Sequence, residues 1–356
     1  MATTFKTLTA NDVTNTRTLL HEAIPLTGTI ASGTYTDENI KTFSHGMFES
    51  VFDYPFLSSS ANHIFDITHG YSNTSNLSGT TAHIQNSKKI NVYNQMAAVL
   101  VGHDATGSIQ LFDKDGDIAG GGAKMEEVFF LNFSRLLSKD EIKKDSFRLT
   151  FATSSQAGNL KNLNITLGDY GAASSYLVNS PAGEYGLLYT ASADTLSPVG
   201  HIYYQAGVAV VSASVFMGTT SEKHTAETGS EPFSNLGPGF PSASYQNLAT
   251  GSSIQVLSDS IRDRLVDINF NNTVELNSTI YFCRANNNEF NYSANPTYLS
   301  SSQIRVKNTT SDNPVSYITT VGLYSSDNEL LAVAKLSEPL KKDPNTELTI
   351  RVRLDY

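Results

Sequence analysis

Residues 347–355 alternate without a break. Leu348, Ile350, Val352 and Leu354 fall on one side, and Glu347, Thr349, Arg351 and Arg353 on the other. Period two is the repeat of a β-strand, whereas a helix would scatter these apolar groups around its whole surface. A strand with one apolar side needs sheet partners, and the preceding residues supply them. Residues 316–324 form an apolar run, 325–329 a Ser-Ser-Asp-Asn-Glu turn cluster and 330–336 a returning run, which together make a β-hairpin pattern. A small antiparallel β-domain is therefore expected over residues 285–356.

Upstream, short apolar runs at 147–151, 163–167, 185–190, 201–204 and 208–211 are separated by polar turn clusters, the spacing of a sandwich or barrel. Steps of three and four predict helices at 88–102 (Ile90, Tyr93, Ala97, Leu100), 125–142 (Val128, Leu131, Leu136, Leu137) and 254–266 (Leu257, Ile261, Leu265). A short helix is expected within 12–23, and residues 219–251, with Pro232, Pro238 and Pro241, read as a long surface loop. The expected fold is mainly β with a few helices (α+β). It has a β-sandwich-like middle region and a small C-terminal antiparallel β-domain, divided as an N-terminal arm or adaptor (1–45), a central α+β domain (46–284) and the C-terminal part (285–356).

Charge narrows the partners. Charged residues are 16% of the chain, against about a quarter in ordinary domains, and Ser, Thr, Asn and Gly take their place, which favours turns and strand surfaces. The net charge of −10 is carried with dispersed Lys and Arg, a field that repels phosphate backbones, so nucleic acid is not an expected partner. The first twenty residues lack the apolar core of a signal peptide, and no long apolar run follows, so neither export nor a membrane is expected. Cys283 stands alone and excludes an intramolecular disulfide.

A search for chemistry leaves two weak candidates. Asp113-Lys114-Asp115-Gly116-Asp117 offers hard oxygen ligands. Its glycine comes too early for the helix-loop-helix calcium loop, however, and Lys124 stands where a bidentate Glu belongs, so a plain turn is expected. His63, Asp66 and His69, with His45 upstream, cannot close a tetrahedral zinc site by themselves and read as ordinary polar residues. Nucleophile-elbow, phosphate-loop, His-Glu-x-x-His and Cys-x-x-Cys patterns do not occur. No catalytic residue, cofactor or metal is expected. The side chains singled out are interface candidates instead: Phe43, Phe48, Phe52, Tyr54 and Phe56 in one aromatic segment, and Tyr317, Tyr324 and Leu330 in the hairpin. Tyrosine in particular combines apolar area with a hydroxyl that tolerates water.

Four stretches carry a resemblance: FSHGMFESVFDYPFLSSSANHIFDITHG from Phe43, EEVFFLNFSRLLSKDEIKKDSF from Glu126, NEFNYSANPTYL from Asn288, and SYITTVGLYSSDNELLAVAKLSEPLKKDPNTELTIRVRLDY from Ser316. They resemble virion structural proteins of contractile-tailed phages, especially those of marine cyanobacteria. The resemblance implies a non-enzymatic particle component, assembled in the host cytoplasm and located in the virion. Its expected partners are copies of itself and other phage structural proteins, as a homo-oligomer in a symmetric particle. The tail or baseplate is the expected place. The alternatives are a head-neck collar or connector protein and a host-surface glycan-binding or fibre-attachment module.

Overall fold

The computed structural model describes residues 5–25, 39–79, 82–118, 120–152, 164–192, 197–216, 245–292, 299–300, 303–304 and 315–356. Contacts divide the chain into two units, Leu20–Val274 and a second that joins Met1–Leu19 to Glu275–Tyr356. In chain order, strand β1 (Val13–Pro25) is followed by β2 (Ile40–Thr42), β3 (Glu49–Phe52), β4 (His63–Tyr71), helix α1 (Asn86–Leu100) and β5 (Glu127–Phe133). Then come the one-turn helix α2 (Arg135–Ser138), β6 (Glu141–Ile142), β7 (Arg148–Ala152), β8 (Asn164–Gly168) and α3 (Ala172–Ser175). Next are β9 (Leu177–Ser180), β10 (Gly183–Leu188), β11 (Gly200–Tyr203), β12 (Val208–Ser212), α4 (Tyr245–Gly251), α5 (Ile254–Arg264) and the long β13 (Leu265–Ala285). The chain continues through β14 (Leu299–Ser300), β15 (Gln303–Ile304), β16 (Ser316–Tyr324), β17 (Leu330–Lys342) and β18 (Leu348–Asp355). The protein is thus mainly β with a few helices, and its sheets are antiparallel.

In Leu20–Val274 the main sheet has eight strands in the order β2-β3-β4-β5-β12-β11-β10-β9. β5 lies near its middle and alternates between two cores. Val128 and Phe130 join Tyr93, Ala97 and Leu100 of α1. Phe129, Leu131 and Phe133 face the opposite way, towards Phe147, Phe151, Phe270 and the α5 side chains Leu257 and Ile261. Burial on both faces accounts for the continuous apolar run. It also overturns the expected helix at 125–142: that stretch is β5, α2 and β6. A run apolar at every position carries no period by which strand and helix differ.

β7, β8, β6 and the first half of β13 form sheet structure on the second core, with the rings of Phe133, Phe147 and Phe270 meeting at centroid distances of 5.3–6.1 Å. Sheet against sheet is the sandwich-like arrangement expected of the middle region. On the first face α1 lies close over β4. A Cβ at Gly70 would come within 2.8 Å of the Lys89 carbonyl oxygen and the Tyr93 nitrogen, so no larger residue fits between helix and strand.

Two other expectations change. In place of the helix expected within 12–23, Asp12 closes a 3-10 turn and the residues from Val13 on are β1, because Val13, Thr14, Thr16 and Thr18 are stiff, β-branched helix formers of low rank and β13 offers a partner strand. Of the expected loop 219–251, residues 245–251 form α4, and the rest lies outside the described residues. The expected helices 88–102 and 254–266 are α1 and α5.

In the second unit, β18 pairs with the latter half of β13, from Ser278↔Asp355 to Ala285↔Leu348. The alternation of 347–355 is present: Val352 is buried, Leu348, Ile350 and Leu354 half-buried, and Thr349, Arg351 and Arg353 exposed. β1 contributes here through Thr279 Oγ1, which donates to Asn15 Oδ1 at 2.9 Å. β16 and β17 form a sheet of two strands. The base of this hairpin is fixed by the buried Lys342, whose ammonium donates to Asn291 Oδ1 (2.7 Å), the Asp343 carbonyl (2.9 Å) and the Asn287 carbonyl (3.3 Å).

Candidate functional site

The eight interface candidates fall in both units. Five belong to Leu20–Val274, on or beside the edge strand β2 and its neighbour β3. There Phe43 stacks on His45 at 5.2 Å between centroids and meets Phe48 at 5.1 Å, while Phe52 lies 6.5 Å from Phe56 and 5.5 Å from His63. These four phenylalanines are half-buried, largely against each other, and Tyr54 is exposed. Most of the aromatic segment therefore completes the sheet edge.

The hairpin is different. Tyr317, Tyr324 and Leu330 are 59%, 45% and 52% exposed. The structure adds Leu331 and Val333, exposed on the same strand, and Phe5, whose ring meets Tyr324 edge-on at 4.8 Å. A Cβ at Gly322 would lie 2.9 Å from the Tyr324 ring and 3.3 Å from Leu330 Cδ1, so the missing side chain is what lets these two lie flat on the strand. Sequence reading missed Leu331 and Val333, although a signal was present: 330–334 is apolar at every position, where a strand with one covered face would alternate.

The suspected chemistry is not assembled. In the Asp113 loop, the Lys124 ammonium pairs with the buried Asp113 carboxylate and donates to the Gly120 carbonyl at 3.0 Å, so a side-chain cation occupies the turn. His63 Nε2 lies 2.8 Å from Asp66 Oδ1, which also accepts from Ser50 Oγ at 2.5 Å. His69 lies elsewhere along β4, fully buried, with Tyr245 Oη 3.3 Å from its Nε2. Burial first, and the Lys89 charge second, push its imidazole down to about 3, so it is neutral at ordinary pH. His45 stays at the Phe43 cluster. Among the described residues no group of three or more His, Cys, Asp or Glu is placed to hold a metal, and no helix is long and apolar enough to cross a membrane.

Besides Lys342, buried ionisable groups that escaped the sequence reading include Lys89, Asp169 and Glu49. Lys89 of α1 donates to the carbonyls of Ile84 (2.8 Å), Ala249 (2.6 Å) and Ser252 (2.7 Å), and so caps the C-terminal end of α4; burial lowers it to about 8. Asp169 accepts from the backbone of Asp145 (2.7 Å) and Phe147 (3.0 Å), from Arg148 (2.9 Å) and from Tyr204 Oη (2.9 Å). Glu49 on β3 is 1% exposed and faces Asp259 and Arg262 of α5, which pair at 3.1 Å, while Thr42 Oγ1 donates to it at 3.1 Å. Burial, then Asp259, raise its carboxyl to about 8, so it is protonated at neutral pH. Each of these groups ties one element to another and is closed to a reactant by burial. No sequence period marks them, because the partners come from distant segments.

With the geometry in view, the class defined is an antiparallel β-rich protein with a doubly covered main sheet and a second, hairpin-bearing β-unit. No protein-family model, curated protein or solved structure matches the chain.

Proposed function

We propose that this chain is a structural component of a contractile-tailed phage particle, in the tail or baseplate region, and that it works by contacts with copies of itself and with other particle proteins. The observation that supports this reading is the β16–β17 hairpin, a sheet of two strands with Tyr317, Tyr324, Leu330, Leu331 and Val333 exposed. A lone two-stranded hairpin is marginal in water, and clustered exposed apolar groups mark a contact surface. Subunit packing gives those side chains a dry environment and requires no bond to be broken. The reading is tested in assembled particles. Deleting residues 316–356 is expected to remove the protein from virions, read by mass spectrometry of purified particles. Because that deletion also strips β18 from β13, the companion variant Leu331→Ser/Val333→Ser keeps the strands and is expected to reduce incorporation as well. Normal incorporation of both would refute the role given to the hairpin.

A further inference from the structure

The two strands of the hairpin present edges of opposite character. β16 holds no charged residue and no proline, and Tyr317, Ile318, Thr319, Thr320, Val321 and Tyr324 are all strand-favouring types. β17 carries Lys335, Glu338, Pro339 and Lys341, the residue types by which natural edges resist further pairing. Among the described residues β16 is bonded to β17 alone. Its register slips between Ile318 and Thr320, so Thr319 has no partner residue on β17, and its side chain is exposed. One edge is guarded and the other, among the described residues, is an open template for a strand.

Resting on the assembly reading above, we propose that the occupant of this edge is β16 of a second copy of the chain, the two strands running antiparallel about a twofold axis that passes beside Thr319 and merging two hairpins into one four-stranded sheet. A strand without charge meets its own copy with no like-charge penalty. The charge distribution favours the same partner: Met1–Leu19 and Glu275–Tyr356 together hold ten acidic and ten basic residues, so the net −10 lies wholly in Leu20–Val274. The unit that carries the open edge is thus the one that two copies can bring together without net repulsion. Lys342 fixes the hairpin base beforehand, which lowers the ordering cost of pairing. A symmetric pair of this kind is isologous and closed, as in most homodimers.

The test uses the full chain in size-exclusion chromatography with light scattering. Wild type is expected to dimerise. Thr319→Lys and Thr319→Asp are each expected to weaken dimerisation by about tenfold or more, since like charges then meet across the axis. An equimolar mixture of the two variants is expected to restore the dimer, which a misfolded variant could not do. A monomeric wild type, charged variants that dimerise like wild type, or a mixture that stays monomeric would each overturn the proposal. In a monomer, amide exchange separates the other occupants: protected β16 amides mean that residues 305–314 or another segment of the same chain covers the edge, and freely exchanging ones mean that a different particle protein does. A monomer that is nonetheless present in purified virions overturns the self-pairing alone. A dimer absent from virions overturns the structural role alone.

Discussion

Glu49 shows what one buried carboxyl does to stability. Its folded form keeps a proton from pH 4.5 up to about 8, where the unfolded chain has released it. Its contribution is therefore fully present below pH 4.5 and is lost as pH rises to about 8. Glu49→Gln keeps the shape without the proton equilibrium. The variant is expected to gain on wild type as pH rises through that window, reaching roughly 4 kcal/mol at pH 8 in urea melts; a difference independent of pH would sink the assignment. Lys89 is the opposite case, a charge fully satisfied by three carbonyls. Lys89→Ala strands those acceptors in the interior, and a loss of about 3 kcal/mol or more is expected, read as a lowered urea midpoint. Neither residue could be singled out beforehand. Glu49 sits beside Ser50 and Val51, Lys89 beside Lys88, and nothing local says which of a pair turns inward.

At the scale of elements, β5 carries the clearest lesson. Because it is covered on both sides, neighbouring residues are equally buried, and Phe129→Ala and Phe130→Ala are each expected to cost about 3–5 kcal/mol in denaturant melts. A helix over 125–142 would instead have placed Leu136 on its apolar stripe. That side chain is 85% exposed, and Leu136→Ala is expected to change stability by under about 0.5 kcal/mol. Where a strand has one covered face, as in β18, alternation showed in the residues themselves; the five strands read between 147 and 211 were likewise bounded by their own turn residues. The same local logic located the hairpin and three of its exposed side chains. It could not rank them against Phe43, Phe48, Phe52 and Phe56, since whether a ring covers a sheet edge or faces water depends on what lies across from it.

For the whole molecule, uneven charge has a measurable consequence. If copies join through the neutral unit while Leu20–Val274 carries the −10, added salt should screen the repulsion between the acidic bodies and leave the uncharged contact intact. Dimerisation is expected to tighten between about 0.05 and 0.5 M NaCl in sedimentation experiments, and weakening would point to an ionic interface instead. The residues alone determined that this chain is β-rich, that it ends in a hairpin and an alternating strand, and that it has no disulfide within itself, because turn chemistry, period two and a single cysteine are local or countable properties. Only the tertiary structure decided that β5 is a core strand, that β1 pairs with β13 instead of coiling, and that Glu49, Lys89 and Asp169 are buried. Those outcomes depend on long-range partners, and burial is a property of the pair of surfaces that meet, which no single stretch of chain contains.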